Sequence, residues 1–384
     1  MRKHGRAQDE VLAELAQLRE RDVPWKRVLN SICTVPHEAA LLAGQAALDS
    51  NLGDLRIFRG CRAAEQKALA LMGDLLGKPD CAGSLVSGGT EANLLAMYVA
   101  RKRRPDIAQP EIVAGETVHY SLGKVCDLLG IRLRTVALDA RFRMRPDAAR
   151  EAINGNTIAL IGTAGSSEFG AVDPIGELAA IAQQHELYFH VDAATGGFII
   201  PFARALGHDL PQFDFSVPGV CSIAMDPHKY GLSIIPAGAV FFRTQELRDS
   251  IQLESFFNAT PTHHSLIGTR SGAAAAATYA VLETLGFDGY TEITRRNYRV
   301  MDYLVERLEG QGYRLVAPPQ LNIVNVDLPD AVNVMRALEE CGWIISVSKR
   351  FRHCLRLVVT HHVDEAMVDA FVERLLAIAA PPAY

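Results

Sequence analysis

The stretch LYFHVDAATGG, residues 187–197, decides the fold. A short apolar run, Leu187 to Val191, meets an aspartate, Asp192, and then small residues from Ala193 to Gly197. Such a run reads as a strand buried on both faces. Small residues just past a strand end let a flat ligand lie against the backbone, and in an open parallel sheet ligands bind beyond the carboxyl ends of the strands.

Similar short apolar segments lie at 111–114 (EIVA), 131–138 (IRLRTVAL), 157–162 (TIALIG), 221–225 (CSIAM) and 238–242 (GAVFF). Helical periodicity fills 90–103, 121–130, 146–153 and 174–185. Strands alternating with helices predict an α/β unit built on a mostly parallel sheet. The alanine-rich run Gly272 to Leu285 predicts a long buried helix leading to a second unit. That unit mixes helices at 293–309, 330–341 and 364–379 with strands at 321–327, 343–347 and 354–359, an α+β pattern. At the other end, Val11, Leu12, Leu15 and Leu18 predict an amphipathic helix over 8–20, followed by an irregular arm to about residue 50. The arm can serve a partner subunit or cap its own core. The divisions are therefore 1–50 (helix and arm, with a dimer contact expected), 51–285 (large ligand-binding domain) and 286–384 (small domain).

Composition narrows the function classes. The chain has 384 residues, 49% apolar and 22% charged, with a formal net charge of −5. It is too apolar for a disordered protein and lacks the basic excess of a nucleic-acid binder. No run approaches the ~18 apolar residues of a membrane span. The seven cysteines are scattered without a C-x-x-C pair, so neither a disulfide framework nor structural zinc is expected. A cytoplasmic location is expected. The His263-His264 and His361-His362 pairs lack the helical spacing of a zinc enzyme, and no metal site is predicted.

Four strand ends carry residues suited to chemistry. Ser87-Gly88-Gly89-Thr90 opens a helix, where free N–H groups and a positive dipole end favour an anion. Asp192 can hold a protonated ring nitrogen. Lys229, in Asp226-Pro227-His228-Lys229, can act as a nucleophile if its neighbours are neutral. His119, in His119-Tyr120-Ser121, can stack on an aromatic ligand. Each has an ordinary reading: Thr90 as a helix N-cap, Asp192 as a capping acid, Lys229 as a surface turn lysine, His119 as a structural histidine. On one sheet edge they jointly fit pyridoxal phosphate, with Lys229 bonded to the cofactor and Asp192 keeping its ring nitrogen protonated.

The motifs S-G-G-T-E-A-N-L (87–94), H-Y-S-x-x-K (119–124), A-G-S-S-E-F-G-x-x-D-P-I (164–175), H-V-D-A-A-x-G-G (190–197) and D-P-H-K (226–229) resemble those of group II pyridoxal-phosphate decarboxylases. N-L-G-D (51–54), I-P-A-G-A-V-F-F-R (235–243), G-T-R-S-G (268–272) and L-R-L-V-V-T-H-H-V (355–363) are more narrowly similar to the archaeal L-tyrosine/L-aspartate decarboxylases. The resemblance runs from about residue 8 to 379. It implies a type I pyridoxal-phosphate fold, with a seven-stranded sheet in the large domain and a smaller C-terminal α+β domain.

The resemblance also implies roles. Lys229 is the Schiff-base lysine, Asp192 the partner of the ring nitrogen, and Ala194 and His119 the packing on its two faces. Gly89, Thr90 and His228 contact the phosphate, with Thr163 near the ring oxygen. Arg356 grips the substrate α-carboxylate. Thr269 and Arg270 belong to a loop that the family brings to the neighbouring subunit's site, which implies a homodimer. Arg56, Arg59 and Arg270 are candidates for the second cation that aspartate needs.

One departure stands out. Many group II decarboxylases carry a proton-donating tyrosine on the loop after the lysine. None lies between Gly231 and Ala277, where Phe256, Phe257 and Asn258 are followed by His263 and His264. His263 is a substitute acid by type. Without an acid there, the resemblance allows aldehyde formation instead of an amine. The motifs also leave room for a carbon–carbon lyase resembling sphingosine-phosphate lyases, and for a silent pyridoxal-phosphate carrier.

Overall fold

The computed structural model describes residues 1–256, 262–348, 350 and 353–382. Phe257 and Asn258, on the loop that lacks a tyrosine, lie outside the described residues.

Seven strands form the large sheet: β1 Ala82–Val86, β2 Glu111–Gly115, β3 Arg132–Val136, β4 Thr157–Thr163, β5 Tyr188–Asp192, β6 Val220–Met225 and β7 Gly238–Phe242. Their order is β1-β7-β6-β5-β4-β2-β3. Pairing is parallel from β6 across to β3, and β7 is antiparallel to both neighbours. β1 therefore runs in the same sense as the parallel block. The carboxyl ends of β1, β2, β4, β5 and β6 all open on one edge of the sheet. β2, β4, β5 and β7 are buried at every position, because helices cover both faces.

β1 is the strand that the apolar pattern does not reveal. Its sequence, AGSLV, carries a glycine and a serine in the middle. A Cβ at Gly83 would come within 2.8 Å of the Phe241 ring, so the bulk of the neighbouring strand demands glycine there.

Two short strands, β8 Leu253–Glu254 and β9 Thr262–His263, pair antiparallel. The smaller sheet has the order β10-β12-β11, with β10 Ile323–Asp327, β11 Ser346–Ser348 and β12 Cys354–Val358. β11 starts later than its apolar run suggests, because Ile344 bridges Val28 of the N-terminal arm instead. Arm residues bond to the small sheet: Leu29 N–H to Ile344 O at 2.8 Å and Val358 N–H to Leu29 O at 2.7 Å. This part of the arm caps its own chain.

The alanine-rich helix ends where predicted, at a break at Gly286 (φ 57°, ψ −172°) that an L side chain resists, and a second helix continues from there to Gly310. Before the kink it packs on helix Glu38–Ala46, and beyond it Tyr303 donates to Asp369 of helix Glu365–Ile378. One apolar core runs from the large sheet into the small one, from Leu85 and Phe189 to Trp343 and Phe371. Helix Gln8–Arg19 forms where periodicity places it but buries none of its residues. No described helix is long and apolar enough to cross a membrane.

Candidate active site

A cavity of about 370 Å³ opens at the carboxyl edge of the large sheet, lined by Gly89, Thr90, His119, Asp192, Ala194 and Lys229, among others. Thr163 and His228 also line it. Eight sequence-predicted residues thus meet in one place, delivered by strand ends distant in sequence.

The first wall is the turn after β1. Helix Gly89–Arg103 is capped by Gly88 without any side-chain bond, so Thr90 is not its N-cap. Its first N–H groups lack intrahelical partners, as in any helix. Gly88 has a φ of +154°, and a Cβ there would meet His228 Cε1 at 3.1 Å. A Cβ on Gly89 would come to 3.0 Å from Ala194 and 3.1 Å from Asp226 Oδ2. The space is therefore kept open by glycines. Buried Glu91 ties the turn down, accepting from Ser87 N–H at 2.8 Å and Ser87 Oγ at 2.7 Å. Its other oxygen accepts from Leu266 N–H at 3.2 Å.

Asp192 ends β5. Its Oδ2 accepts from Asn93 Nδ2 at 2.8 Å and its Oδ1 from Ala194 N–H at 3.1 Å. Both bonds fix the orientation of the carboxylate at the strand end. His119 is half-buried; its Nδ1 accepts from Ser121 N–H at 3.3 Å and lies 2.8 Å from Ser121 Oγ. Burial lowers its pKa, so it presents a neutral ring. His228 Nδ1 accepts from Ala237 N–H at 3.0 Å, and burial lowers its pKa as well. Thr163 is held by its N–H, which donates to Asp173 Oδ2 at 2.8 Å. Burial pushes the Asp173 carboxyl up to about 6.

Lys229 departs from expectation. Neutral neighbours would leave it deprotonated, but its Nζ lies 3.0 Å from Asp226 Oδ2. Burial lowers the ammonium pKa, yet Asp226 and then Asp192 outweigh it, and the net shift is upward. The lysine rests charged. Among the described residues Asp226 Oδ1 is buried without a hydrogen-bond partner, a carboxylate oxygen that a bound group can match.

Arg356 does not line the cavity but stands behind it. Its Nε donates to the carbonyl of Ser167, a lining residue, at 2.6 Å, and its Nη1 to Asn30 O at 2.9 Å and Ser346 Oγ at 3.2 Å. Among the described residues no carboxylate lies within ion-pair distance of it, and burial lowers its pKa to about 10.

His263 and Thr269 are elsewhere. His263 lines a second hollow of about 470 Å³ with Arg56, Arg59, Arg62, Arg248 and Arg270, and Thr269 is exposed. Arg270 is not a free cation, since it pairs with buried Glu65. Phe256 is 97% exposed. His361 and His362 both bond Thr34 Oγ1, at 3.2 and 2.8 Å.

Residues 45–327 match the family described as the pyridoxal-dependent decarboxylase conserved domain. The chain belongs to the pyridoxal-dependent decarboxylase family. Over 378 residues it is 42% identical to a probable L-tyrosine/L-aspartate decarboxylase of Methanocella arvoryzae, covering 98% of this chain and 99% of that one. A probable L-aspartate decarboxylase of Archaeoglobus fulgidus is 37% identical over 94% of this chain and 97% of its own. Among solved structures, a sphingosine-1-phosphate lyase of Burkholderia pseudomallei superposes with a TM-score of 0.90 at 25% identity, covering 98% of this chain and 91% of that one. A Lactobacillus brevis glutamate decarboxylase gives 0.89 at 22% identity, over 98% and 93%, a likeness of fold.

The decarboxylase is thus a pyridoxal-phosphate carboxy-lyase with the type I fold. Its own residues fit that cofactor: a glycine-lined anion cradle, a largely buried lysine, a strand-end aspartate held by Asn93 and small Ala194 beside them. Sequence reasoning named the cavity's lining but gave no role to Asn93, His190 or Asp226. His190 is a polar residue inside an apolar strand, two positions before Asp192 and so on the same face. That spacing is the signal that could have found it.

Proposed function

We propose that this decarboxylase acts on L-tyrosine, with some activity on L-aspartate, releasing CO₂ and leaving tyramine or β-alanine. The carrying observation is the cavity that gathers Lys229, Asp192, His119 and His228, with the guanidinium of Arg356 bonded to its lining residue Ser167 and, among the described residues, in no ion pair. The names of the archaeal relatives support the substrate choice. Through the same resemblance, the products belong to methanofuran and coenzyme A synthesis in the cytoplasm.

When bound, the cofactor supplies an electron sink for the bond that breaks. The chain's residues do the rest. Gly89, Thr90 and His228 hold the phosphate, aided by the helix N-terminus. Lys229 is the amine that bonds the cofactor, and Asp226 holds its ammonium form beforehand. Asp192 keeps a proton on the ring nitrogen. His119 and Ala194 confine the ring between them. Arg356 orients the substrate carboxylate, so that the bond to CO₂ is the one that breaks. An acid must then deliver a proton to Cα, and His263 is the candidate.

His263 and Thr269 do not line the Lys229 cavity of their own chain, and we infer a two-fold homodimer in which a second copy brings them to it. Helix Gln8–Arg19 supports the pairing. Leu12, Leu15 and Leu18 leave a face exposed by 45–52% that a partner can cover.

The test is to incubate cofactor-loaded protein separately with L-tyrosine and L-aspartate and to quantify tyramine, β-alanine, aldehyde and CO₂. Amine with matching CO₂ establishes the substrate. Aldehyde means that the missing loop tyrosine has redirected the chemistry. No product from either amino acid overturns the substrate reading.

A further inference from the structure

Asp192 is not held by its own loop alone. Asn93 Nδ2 donates to it at 2.8 Å, and the other edge of the same amide, Oδ1, lies 2.8 Å from His190 Nε2. His190 Nδ1 in turn lies 2.8 Å from Ser222 Oγ. Asn93, His190 and Ser222 are 1%, 0% and 0% exposed. They come from three elements: helix Gly89–Arg103, β5 and β6.

Only one assignment of protons satisfies this chain. An amide turned the other way would set Asn93 Oδ1 against Asp192 Oδ2, two acceptors in contact. With Nδ2 facing the carboxylate, Oδ1 must receive a proton from His190 Nε2. His190 Nδ1 is then an acceptor, and Ser222 donates to it. Burial pushes the His190 pKa down to about 4, so the ring stays neutral and the assignment holds at physiological pH. A polar triad here is otherwise costly, since an apolar residue at position 190 would fill β5 without any hydrogen-bond demand.

We propose that His190 is a positioning residue: through Ser222 and Asn93 it locks the asparagine amide with its donor edge on Asp192, and so maintains the anionic acceptor that holds the ring-nitrogen proton of the cofactor. The proposal rests on the role given to Asp192 under the proposed function. Removing His190 frees the amide to turn, and Asp192 then loses a fixed donor.

The test uses holoenzyme loaded with pyridoxal phosphate labelled with ¹⁵N in the ring. In His190→Leu the ring-nitrogen resonance moves toward the unprotonated position. kcat falls roughly 10–100-fold, the range for losing a group that orients a functional side chain, while KM stays within about twofold. His190→Gln offers an amide N–H to Asn93 and restores both readouts. A loaded His190→Leu protein with the wild-type resonance and kcat overturns the proposal. So does equal loss in His190→Leu and His190→Gln, which marks a packing role. Should His190→Leu fail to fold, Ser222→Ala releases the imidazole tautomer and must move the resonance the same way by a smaller amount; no movement overturns the proposal. Asp192→Ala is the control. If it leaves the resonance in place, the role given to Asp192 fails. If it moves the resonance and the His190 variants do not, only the present proposal fails.

Discussion

Asp226 Oδ2 accepts a hydrogen bond from Lys229 Nζ at 3.0 Å, and the two side chains are 2% and 15% exposed. An amine in this state must shed a proton before it can attack a carbonyl. Burial alone would make that easy, because it lowers the ammonium pKa. Asp226, helped by Asp192, reverses the sign.

In Asp226→Asn the counter-charge is gone and burial remains, so Lys229 titrates lower than in the wild type. The pH profile for capture of pyridoxal phosphate by the apoprotein, followed by absorbance, shifts toward acid. A profile at the wild-type position removes the assigned role. Because the folded pKa of Lys229 lies above its ordinary value of 10.5, its contribution to stability is present below that pH and lost as pH rises through the folded value. The wild-type apoprotein therefore loses melting temperature at high pH more steeply than Asp226→Asn.

Arg356→Gln removes the cation behind Ser167. A charged hydrogen bond contributes about 1.5–3 kcal/mol, or ~10–150-fold in kcat/KM. Pyridoxal phosphate affinity stays within a few-fold, since Arg356 does not line the cavity. Steady-state kinetics and a cofactor titration separate the two, and an unchanged kcat/KM rules out the carboxylate grip.

Arg270→Met leaves Glu65 buried and unpaired. Breaking such a pair costs roughly 3–5 kcal/mol, and the melting temperature falls. Adding Glu65→Leu recovers much of the loss by removing the stranded charge. If the double variant is as unstable as the single one, the pair is not the reason for the loss.

His190 and His361 are both depressed by burial to about 4. The unfolded chain takes up their protons near 6.5, and the folded one resists. Stability is therefore lost as pH falls from about 6.5 toward 4. Denaturation curves across that window show the slope, and His361→Gln flattens it. A flat wild-type curve contradicts the assignment.

For His263, replacement by Ala lowers amine yield and raises aldehyde if it is the acid that protonates Cα. An unchanged amine yield removes it. A mixture of Lys229→Ala and His263→Ala chains then probes sharing, because in a mixed dimer one site receives both intact residues. Recovered amine formation in the mixture indicates a composite site.

Much of the architecture was legible in local pattern. Six of the seven strands of the large sheet, the helices between them and the residues at their ends follow from apolar runs and periodicity, because burial on both faces leaves a continuous apolar imprint. β1 escaped because packing against Phe241 put a glycine where an apolar side chain would have announced it. Helix Gln8–Arg19 formed as its periodicity indicated, but none of its residues is buried. Periodicity describes a surface and not its occupant.

By itself the sequence determined the strand–helix order, the family and the identity of the cavity's lining, since these depend on residue type and spacing along the chain. Only the tertiary structure decided which polar groups are paired. Arg270 bonds Glu65 and Asn93 bonds Asp192 across 205 and 99 positions of sequence, separations that say nothing of distance in space, and Lys229 bonds Asp226 three positions away only because the turn aims both side chains together. Whether a buried lysine is neutral or charged turns on an oxygen 3.0 Å away, which only folding brings there.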